Sequence, residues 1–551
     1  MRSKPFIILI LSLIAAQRGN GQQRAGDTVL KGSTIEVIQS YKPQVRKAPK
    51  PEWVPQIPPA DTSRPALSYD VPQQTLYYTY KSGALRPLAL GKDSLLIPYP
   101  NYIKAGGGNL STLYFDAGID MLKGKKYETG IHLHHLSQKG NIDKQQSAIS
   151  GLEAAGIYHS LKYDWKGWLN VERNQYYYYG IDDHLPVYPT NTDQKLTFTT
   201  VRAAVEMKSK IADKMQTLVY DPYITGSIYN DHYNNSEKSL GISVPFGYRI
   251  DSNLEVLANL SASLVNVKLA GMDLKNNLAA LTPGIGYCKG NFSGHAMLGF
   301  AIGNGSKFFM LPDIIASYHI PSTSLILSGG WQASVRQNTY EQLTTENPYL
   351  FFTFKPTIGG VQIIHQSQRD EIYAQVSGIM GSHLTYSVRT SWWNFTNLAT
   401  FLDTGANPKH FNVIYDDVSA ISLHGAVRYT QSTKWSAGVS TDFYKYYQGT
   451  QTYVWQQPTL NIKGDISVNP LKDLSVTGYV AVLGGMYTLN YQGKPVMMTP
   501  VTDIGAYAEY KLGGRINVFL QASNLLNSKY ERWNHYQSYG LNVYGGLRLK
   551  F

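Results

Sequence analysis

From Tyr102 to the last residue, apolar and polar positions alternate with a period of two. Residues 254–264 place Leu254, Val256, Ala258, Leu260, Ala262 and Leu264 on one face, and Glu255, Leu257, Asn259, Ser261 and Ser263 on the other. In residues 460–468, Leu460, Ile462, Gly464, Ile466 and Val468 oppose Asn461, Lys463, Asp465 and Ser467. The same rule runs through Leu474, Val476, Gly478, Val480 and Val482, and through Ile516, Val518, Leu520 and Ala522 against Asn517, Phe519 and Gln521. Side chains of a strand point alternately to its two sides, so each segment reads as a strand with one apolar face and one small, polar face. Most run about 10–16 residues, where a soluble strand has roughly 5–6 and a tilted membrane strand needs roughly 9–11.

Tight turns are expected near Lys123–Lys125, Asp164, Lys210–Asp213, Asp251–Ser252, Lys289–Gly290, Pro321–Ser322, Gly381, Gln431–Ser432, Asn469–Asp473 and Gly513–Gly514. Longer connections lie between them, notably at 179–193, 337–368, 396–415, 487–499 and 525–538. Short turns at one end and long loops at the other are the asymmetry of a membrane barrel. The pattern predicts an all-β, antiparallel, up-and-down transmembrane β-barrel over residues 101–551, of about 22 strands (roughly 20 to 24). In the last strand Leu541, Val543, Gly545, Leu547, Leu549 and Phe551 share one face, and Tyr544, Gly546, Arg548 and Lys550 the other. A charge facing the bilayer midplane costs roughly 2–4 kcal/mol, and here both charges fall on the opposite face. Arg548, Lys550, Asn517, Gln521, Lys463 and Asp465 are therefore expected to face the lumen.

Composition sharpens this picture. Charged residues are 16%, below the roughly 25% of soluble domains, while aromatics reach 12% with 42 Tyr, and Gly occurs 49 times. No apolar run beyond the N-terminus is long enough for a membrane helix. Arg2 and Lys4 precede the apolar run Phe6–Ala16, and Gly19 and Gly21 suit a cut before Gln22, so residues 1–21 read as a secretory signal peptide. The only cysteine is Cys288, which excludes an internal disulfide. The formal charge of +12, less Arg2, Lys4 and Arg18, leaves +9. These charges are dispersed on an exported chain, which argues against nucleic acid and for lipid phosphates, lipopolysaccharide or anionic solutes as their partners.

Residues 22–100 hold 11 of the 26 prolines. Proline lacks an N–H and fixes φ, so this stretch reads as an extended, periplasmic or lumenal arm. Within it, Thr34-Ile35-Glu36-Val37-Ile38-Gln39 is a short strand suited to pairing with a partner through Thr34, Glu36, Val37 and Gln39.

Candidate chemistry is sparse. His132 and His134 share a strand face near His135, and two imidazoles could meet a metal, but no third ligand is evident. Asp182-Asp183-His184 falls short of the oxygens that Ca²⁺ needs, and Asp416-Asp417 reads as a solvated loop end. No spacing pairs a nucleophile with a base, and Gly106-Gly107-Gly108 lacks the Lys and Ser/Thr of a phosphate loop, so it is expected to form a tight hairpin. No enzyme activity, cofactor or metal is expected. The aromatics Tyr176–Tyr179, Trp392-Trp393, Tyr444, Tyr446, Tyr447 and Trp533 suit an interfacial girdle, or ring stacking on sugars at a loop-lined site.

The stretch Asn524–Tyr530 (NLLNSKY), Trp533, Tyr539-Gly540 and the ending GGLRLKF resembles the closing strands of TonB-dependent receptor barrels of the outer membrane, particularly those of Bacteroidetes. Tyr102–Ile119, containing GGGNLST, and Thr345–Leu350 (TENPYL) are similar to the opening hairpin and a long loop of the same barrels. Val543, Gly545, Leu547, Leu549 and Phe551 resemble the C-terminal signal read by the barrel-assembly machinery. The resemblance implies 22 strands, a Gram-negative outer membrane, a lumenal plug domain and a TonB-like periplasmic partner. Residues 22–100 depart from it, being short and proline-rich for a full plug. Two functions follow: an uptake channel, energised or passive, or a non-transporting scaffold that binds a periplasmic, secretion or surface partner through its arm and loops.

Overall fold

The computed structural model describes residues 101–124, 126–180, 195–210, 218–350, 364–404, 407–431, 434–447, 449–490 and 492–551. The signal-peptide and arm segments, with Thr34, Glu36, Val37 and Gln39, lie outside the described residues, as does Asp182-Asp183-His184.

The described residues form a closed antiparallel transmembrane barrel of 22 wall strands. They are β1 (Tyr102–Gly108), β2 (Leu113–Lys123), β3 (Tyr127–Lys139), β4 (Gln146–His159), β5 (Tyr163–Tyr177), β6 (Lys195–Ser209), β7 (Tyr223–Asp231), β8 (Ser236–Arg249), β9 (Leu254–Leu269), β10 (Leu278–Lys289) and β11 (Phe292–Ile302). The wall continues with β12 (Phe308–His319), β13 (Ile326–Arg336), β14 (Ser367–Met380), β15 (Leu384–Thr404), β16 (Asn407–Gln431), β17 (Trp435–Tyr447), β18 (Leu460–Leu471), β19 (Leu474–Gly484), β20 (Val501–Lys511), β21 (Ile516–Ser523) and β22 (Asn542–Lys550). Short pieces at Leu218–Tyr220 and Met272–Lys275 extend the ladders of β8 and β9. Each strand pairs with its sequence neighbour, and β22 closes on β1 in the register Tyr102↔Lys550, Ala105↔Leu547, Gly108↔Tyr544.

Alternation along the chain becomes outside and inside. On β21, Ile516, Val518 and Leu520 are exposed, whereas Asn517, Phe519 and Gln521 are buried. On β22, Leu547 and Leu549 are exposed and Tyr544 is buried. On β9, Val256, Leu260 and Leu264 point outward. Lipid offers nothing to a backbone N–H or C=O, so only a sheet without free edges can present such a face to it.

The closing seam has a particular chemistry. The β1–β2 hairpin forms, but Gly106-Gly107-Gly108 is not its turn: the run ends β1, opposite Tyr544, Gly545 and Gly546, and the turn follows at Asn109–Thr112. The reason is steric. A Cβ on Gly106 would sit 2.5 Å from the Gly545 carbonyl oxygen, and Cβ atoms on Gly108 and Gly546 would strike the carbonyls of Val543 and Ala105. Interior rings cover these glycines: Tyr114 packs 5.6 Å from Phe519 and 5.4 Å from Tyr544. Covering strand glycines with aromatic side chains restores packing that the missing side chains forfeit.

A second departure concerns residues 396–415, expected as a loop. They continue the β15–β16 hairpin, pairing from Leu398↔Asp416 to Asp403↔Phe411 after an irregularity between Phe395 and Leu398. Asn397 takes a positive φ of 56° there, which broke the alternation in the sequence. With 21 and 25 residues, β15 and β16 outrun a bilayer core of roughly 30 Å at roughly 3.3 Å per residue. Asp416 is not a solvated loop end either. It is buried and accepts from Thr450 N at 2.9 Å, Thr450 Oγ1 at 2.8 Å and Gln451 N at 3.0 Å, pinning the next connection to the hairpin.

Gly546→Val and Gly108→Val are expected to cut the amount of folded barrel recovered from membranes several-fold. Gly513→Val, where a Cβ meets nothing within 4 Å, is expected to leave it unchanged. Gel mobility of unheated against heated samples measures the folded fraction.

Candidate functional site

The inner wall carries a chain of charged and hydrogen-bonding side chains that crosses the seam. Glu509 on β20 accepts from Tyr507 and Asn517 and pairs with Arg548 at 3.4 Å. The Arg548 guanidinium lies 4.5 Å over the ring of Tyr102, whose hydroxyl donates to Asp116 Oδ1 at 2.5 Å. Lys104 donates to the Tyr507 hydroxyl at 3.0 Å. His132 Nε2 meets Asp116 Oδ2 at 3.1 Å, His132 Nδ1 lies 3.7 Å from Glu153 Oε2, and Asn170 Nδ2 donates to Glu153 Oε1 at 3.3 Å. The cause is register. Each of these positions falls on the face opposite the apolar alternates, and antiparallel pairing sets them side by side.

Two further groups lie on strands β14 to β18. On β14 and β15, Arg389 Nε donates to Glu371 Oε1 at 2.9 Å, Ser391 Oγ donates to the same oxygen at 2.6 Å, and the guanidinium lies 3.4 Å over Tyr373. On β16 to β18, His424 meets Asp442 at 2.6 Å, and Arg428 grips Asp465 through two nitrogens at 3.1 and 2.5 Å. The Arg389–Glu371 pair is buried, and a charge taken out of water is tolerated when it is paired in this way.

The connection after β13 folds inward rather than outward. Its helix α1 (Tyr340–Glu346) opens with a capping box, in which the Thr339 side chain accepts from Gln342 N and the Gln342 side chain accepts from Thr339 N. Glu341 pairs with Arg202 of β6 and accepts from Ser227 Oγ of β7 at 3.2 Å. Glu237 of β8 accepts from the Glu341 N–H at 3.1 Å, and the Tyr340 hydroxyl donates to Asp231 at 2.5 Å. Above this, rings from three connections and from the β15–β16 hairpin meet. Tyr349 stacks on Tyr536 at 3.5 Å, Tyr179 packs edge-on to Tyr536 at 5.2 Å, and Trp533 packs against Phe401 and Phe411 at 5.3 and 5.6 Å. These residues belong to one buried apolar cluster, which narrows the long-loop end.

The sequence-derived candidates distribute as follows. Asn517 and Gln521 are buried on the inner face, Arg548 is part of the seam chain, and Lys550 lies on the same face two residues on. Lys463 sits between Asn461 and Asp465, on the face turned toward Asp442 and Arg428. Val543 and Gly545 flank the buried Tyr544, and Leu547, Leu549 and Phe551 are exposed. The aromatics divide. Trp392 and Tyr447 are exposed and lie 5.6 Å apart, as a girdle requires, but Tyr176, Trp393 and Trp533 are buried on the inner face or in the mouth cluster. Alternation parity separates Trp392 from Trp393. His135 likewise turns away from His132 and His134 and bonds Ser150 at 2.8 Å. Glu153, Glu341 and Glu371 were not singled out from the sequence, because an isolated acid in a strand or loop carries no local signature.

No protein-family model matches the chain, and no curated protein matches it. Solved structures do match in fold. The FrpB iron transporter from Neisseria meningitidis (F3-3 variant) aligns with a TM-score of 0.62 at 10% identity, over 83% of this chain and 82% of that one. The pyoverdine outer membrane receptor FpvA from Pseudomonas aeruginosa PAO1 aligns at 0.60 and 9% identity, over 82% and 78%. The copper transporter OprC aligns at 0.58 and 8% identity, over 82% and 80%.

Glu341→Lys sets a like charge against Arg202 and removes the acceptor for Ser227, a loss of about 1–3 kcal/mol in docking for a partly exposed pair. Protease added to the long-loop side is expected to cleave within 337–366 several-fold faster, with the barrel still folded. Unchanged cleavage would show that Glu341 does not hold the loop.

Proposed function

We propose that this chain is an outer-membrane uptake barrel of the TonB-dependent-receptor type, passing a polar solute through its lumen. The observation that carries this reading is the closed 22-strand wall with a charged and hydrogen-bonding inner face and a loop docked inside it. A wall of that strand number encloses a bore far wider than side chains alone fill. A polar lining serves a solute, whereas a purely structural core would be apolar. The fold likeness to an iron transporter, a copper transporter and a pyoverdine receptor supports the same assignment. Glu341-anchored α1 and the Tyr349–Tyr536 cluster then act as the outer constriction, which a solute must displace or pass.

Residues 22–100 complete the proposal. After removal of a signal peptide at 1–21, this arm lies in or beneath the lumen as a reduced plug. Thr34–Gln39 offers a strand to a TonB-like periplasmic partner, because an extended segment with free backbone groups joins another sheet by strand addition.

Planar-bilayer recordings test the arm directly. Deleting residues 22–100 is expected to raise single-channel conductance several-fold over the full chain, and equal conductance would reject the plug. With the arm as bait, an energy-transducing periplasmic protein is expected to be recovered, and Val37→Pro, which removes an N–H and bends the strand, is expected to abolish its capture. Recovery of a secretion component instead would favour the scaffold.

A further inference from the structure

Among the described residues one group brings three metal-ligating side chains together: His132, His134 and Glu153, whose ligand atoms all lie within 4.8 Å of one another. The group is built by the sheet. His132 and His134 are two apart on β3 and share the inner face, and Glu153 is the direct cross-strand neighbour of His132 on β4. The neighbour of His134 is Gly151, and a Cβ there would run into the His134 ring. The glycine thus makes room for the imidazole beside Glu153. The two rings lie 5.5 Å apart with a 31° tilt.

The surroundings orient these ligands as a metal centre requires. Asp116 accepts from the Tyr102 hydroxyl through Oδ1, and its Oδ2 faces His132 Nε2 at 3.1 Å. A carboxylate only accepts, so Nε2 donates to Asp116, and Nδ1, 3.7 Å from Glu153 Oε2, is the nitrogen a cation would take by displacing the proton that otherwise faces Glu153. Asn170 binds the other Glu153 oxygen, Oε1, at 3.3 Å and leaves Oε2 on the histidine side. An imidazole whose second nitrogen donates to a carboxylate, itself held by another donor, is the outer-shell arrangement that fixes tautomer and raises ligand basicity.

We propose that His132, His134 and Glu153 form a binding site for a divalent transition cation of the zinc class on the inner wall, with Asp116, Tyr102 and Asn170 positioning the ligands. Two imidazoles and one carboxylate suit zinc and its neighbours, while hard cations that need six or more oxygens are poorly served. Bonds of roughly 2.0–2.2 Å demand ligand atoms roughly 3.4 Å apart, so the three side chains, now within 4.8 Å, close by up to about 1.4 Å through rotamer adjustment. Three protein ligands leave a fourth position open to water or to a solute in the lumen. The site does not depend on the uptake reading: a barrel that conducts nothing would still bind the ion.

The experiment titrates the purified full chain in detergent with zinc alone, following heat by calorimetry, with magnesium and calcium in parallel. One saturable zinc site per chain is expected, and no heat from magnesium or calcium. His134→Gln and Glu153→Gln are each expected to weaken zinc binding at least tenfold, while His424→Gln, at a separate histidine–carboxylate pair, leaves it unchanged. Asp116→Asn, which keeps the shape but not the charge behind His132, is expected to weaken it less than His134→Gln does. Gel mobility of unheated samples confirms that each variant is folded. Absence of saturable zinc binding, equal binding of calcium, or zinc binding that survives both His134→Gln and Glu153→Gln would overturn the proposal.

Discussion

Everything in this molecule follows from one constraint: the hydrocarbon of a bilayer accepts no hydrogen bonds. Each backbone N–H and C=O of a strand facing lipid must therefore be used by a neighbouring strand, and the sheet must have no edge. The decisive contact is the pairing of β1 with β22, which turns an open sheet into a barrel. Glycines at 106, 108 and 546 let that seam close tightly, and Phe519, Tyr114 and Tyr544 fill the space those glycines leave inside.

Closure has a price on the inside. A wall with apolar side chains outward must send its alternates inward, into a bore that they do not fill. The chain resolves this in two ways. Charged groups on the inner wall are satisfied by cross-strand partners, as Arg389 is by Glu371 and Arg548 by Glu509. The connection after β13 folds back into the bore, held by Arg202, Ser227 and Glu237 around a capped single helix. The same strand geometry that satisfies the wall also sets His132, His134 and Glu153 side by side, so chemistry arises where register aligns polar alternates on adjacent strands.

How much of this was legible in the sequence follows from the range of each signal. Alternation is local, so Asn517, Gln521 and Arg548 could be set on one face, and Leu547 and Leu549 on the other, without knowing any partner. The number of strands follows from counting turns. Register is not local. Nothing near Glu153 says that it stands opposite His132, and nothing near Gly106 says that it meets Gly546. Breaks in alternation misled twice: the positive-φ Asn397 hid the continuation of β15, and three successive glycines suggested a turn where the backbone needed proximity. The mouth aromatics Tyr349 and Tyr536 come from connections far apart in sequence, and only the closed barrel brings them together.

The central claim, that alternate residues of each strand face lipid and lumen in a closed wall, is tested most directly by a single-cysteine spin-label scan of Ile516–Ser523 in a Cys288→Ser background, reconstituted in bilayers. Labels at 516, 518 and 520 are predicted to be accessible to lipid-soluble oxygen, while those at 517, 519 and 521 are shielded from it. A uniform profile along the strand, or maxima at 517, 519 and 521, would contradict the account.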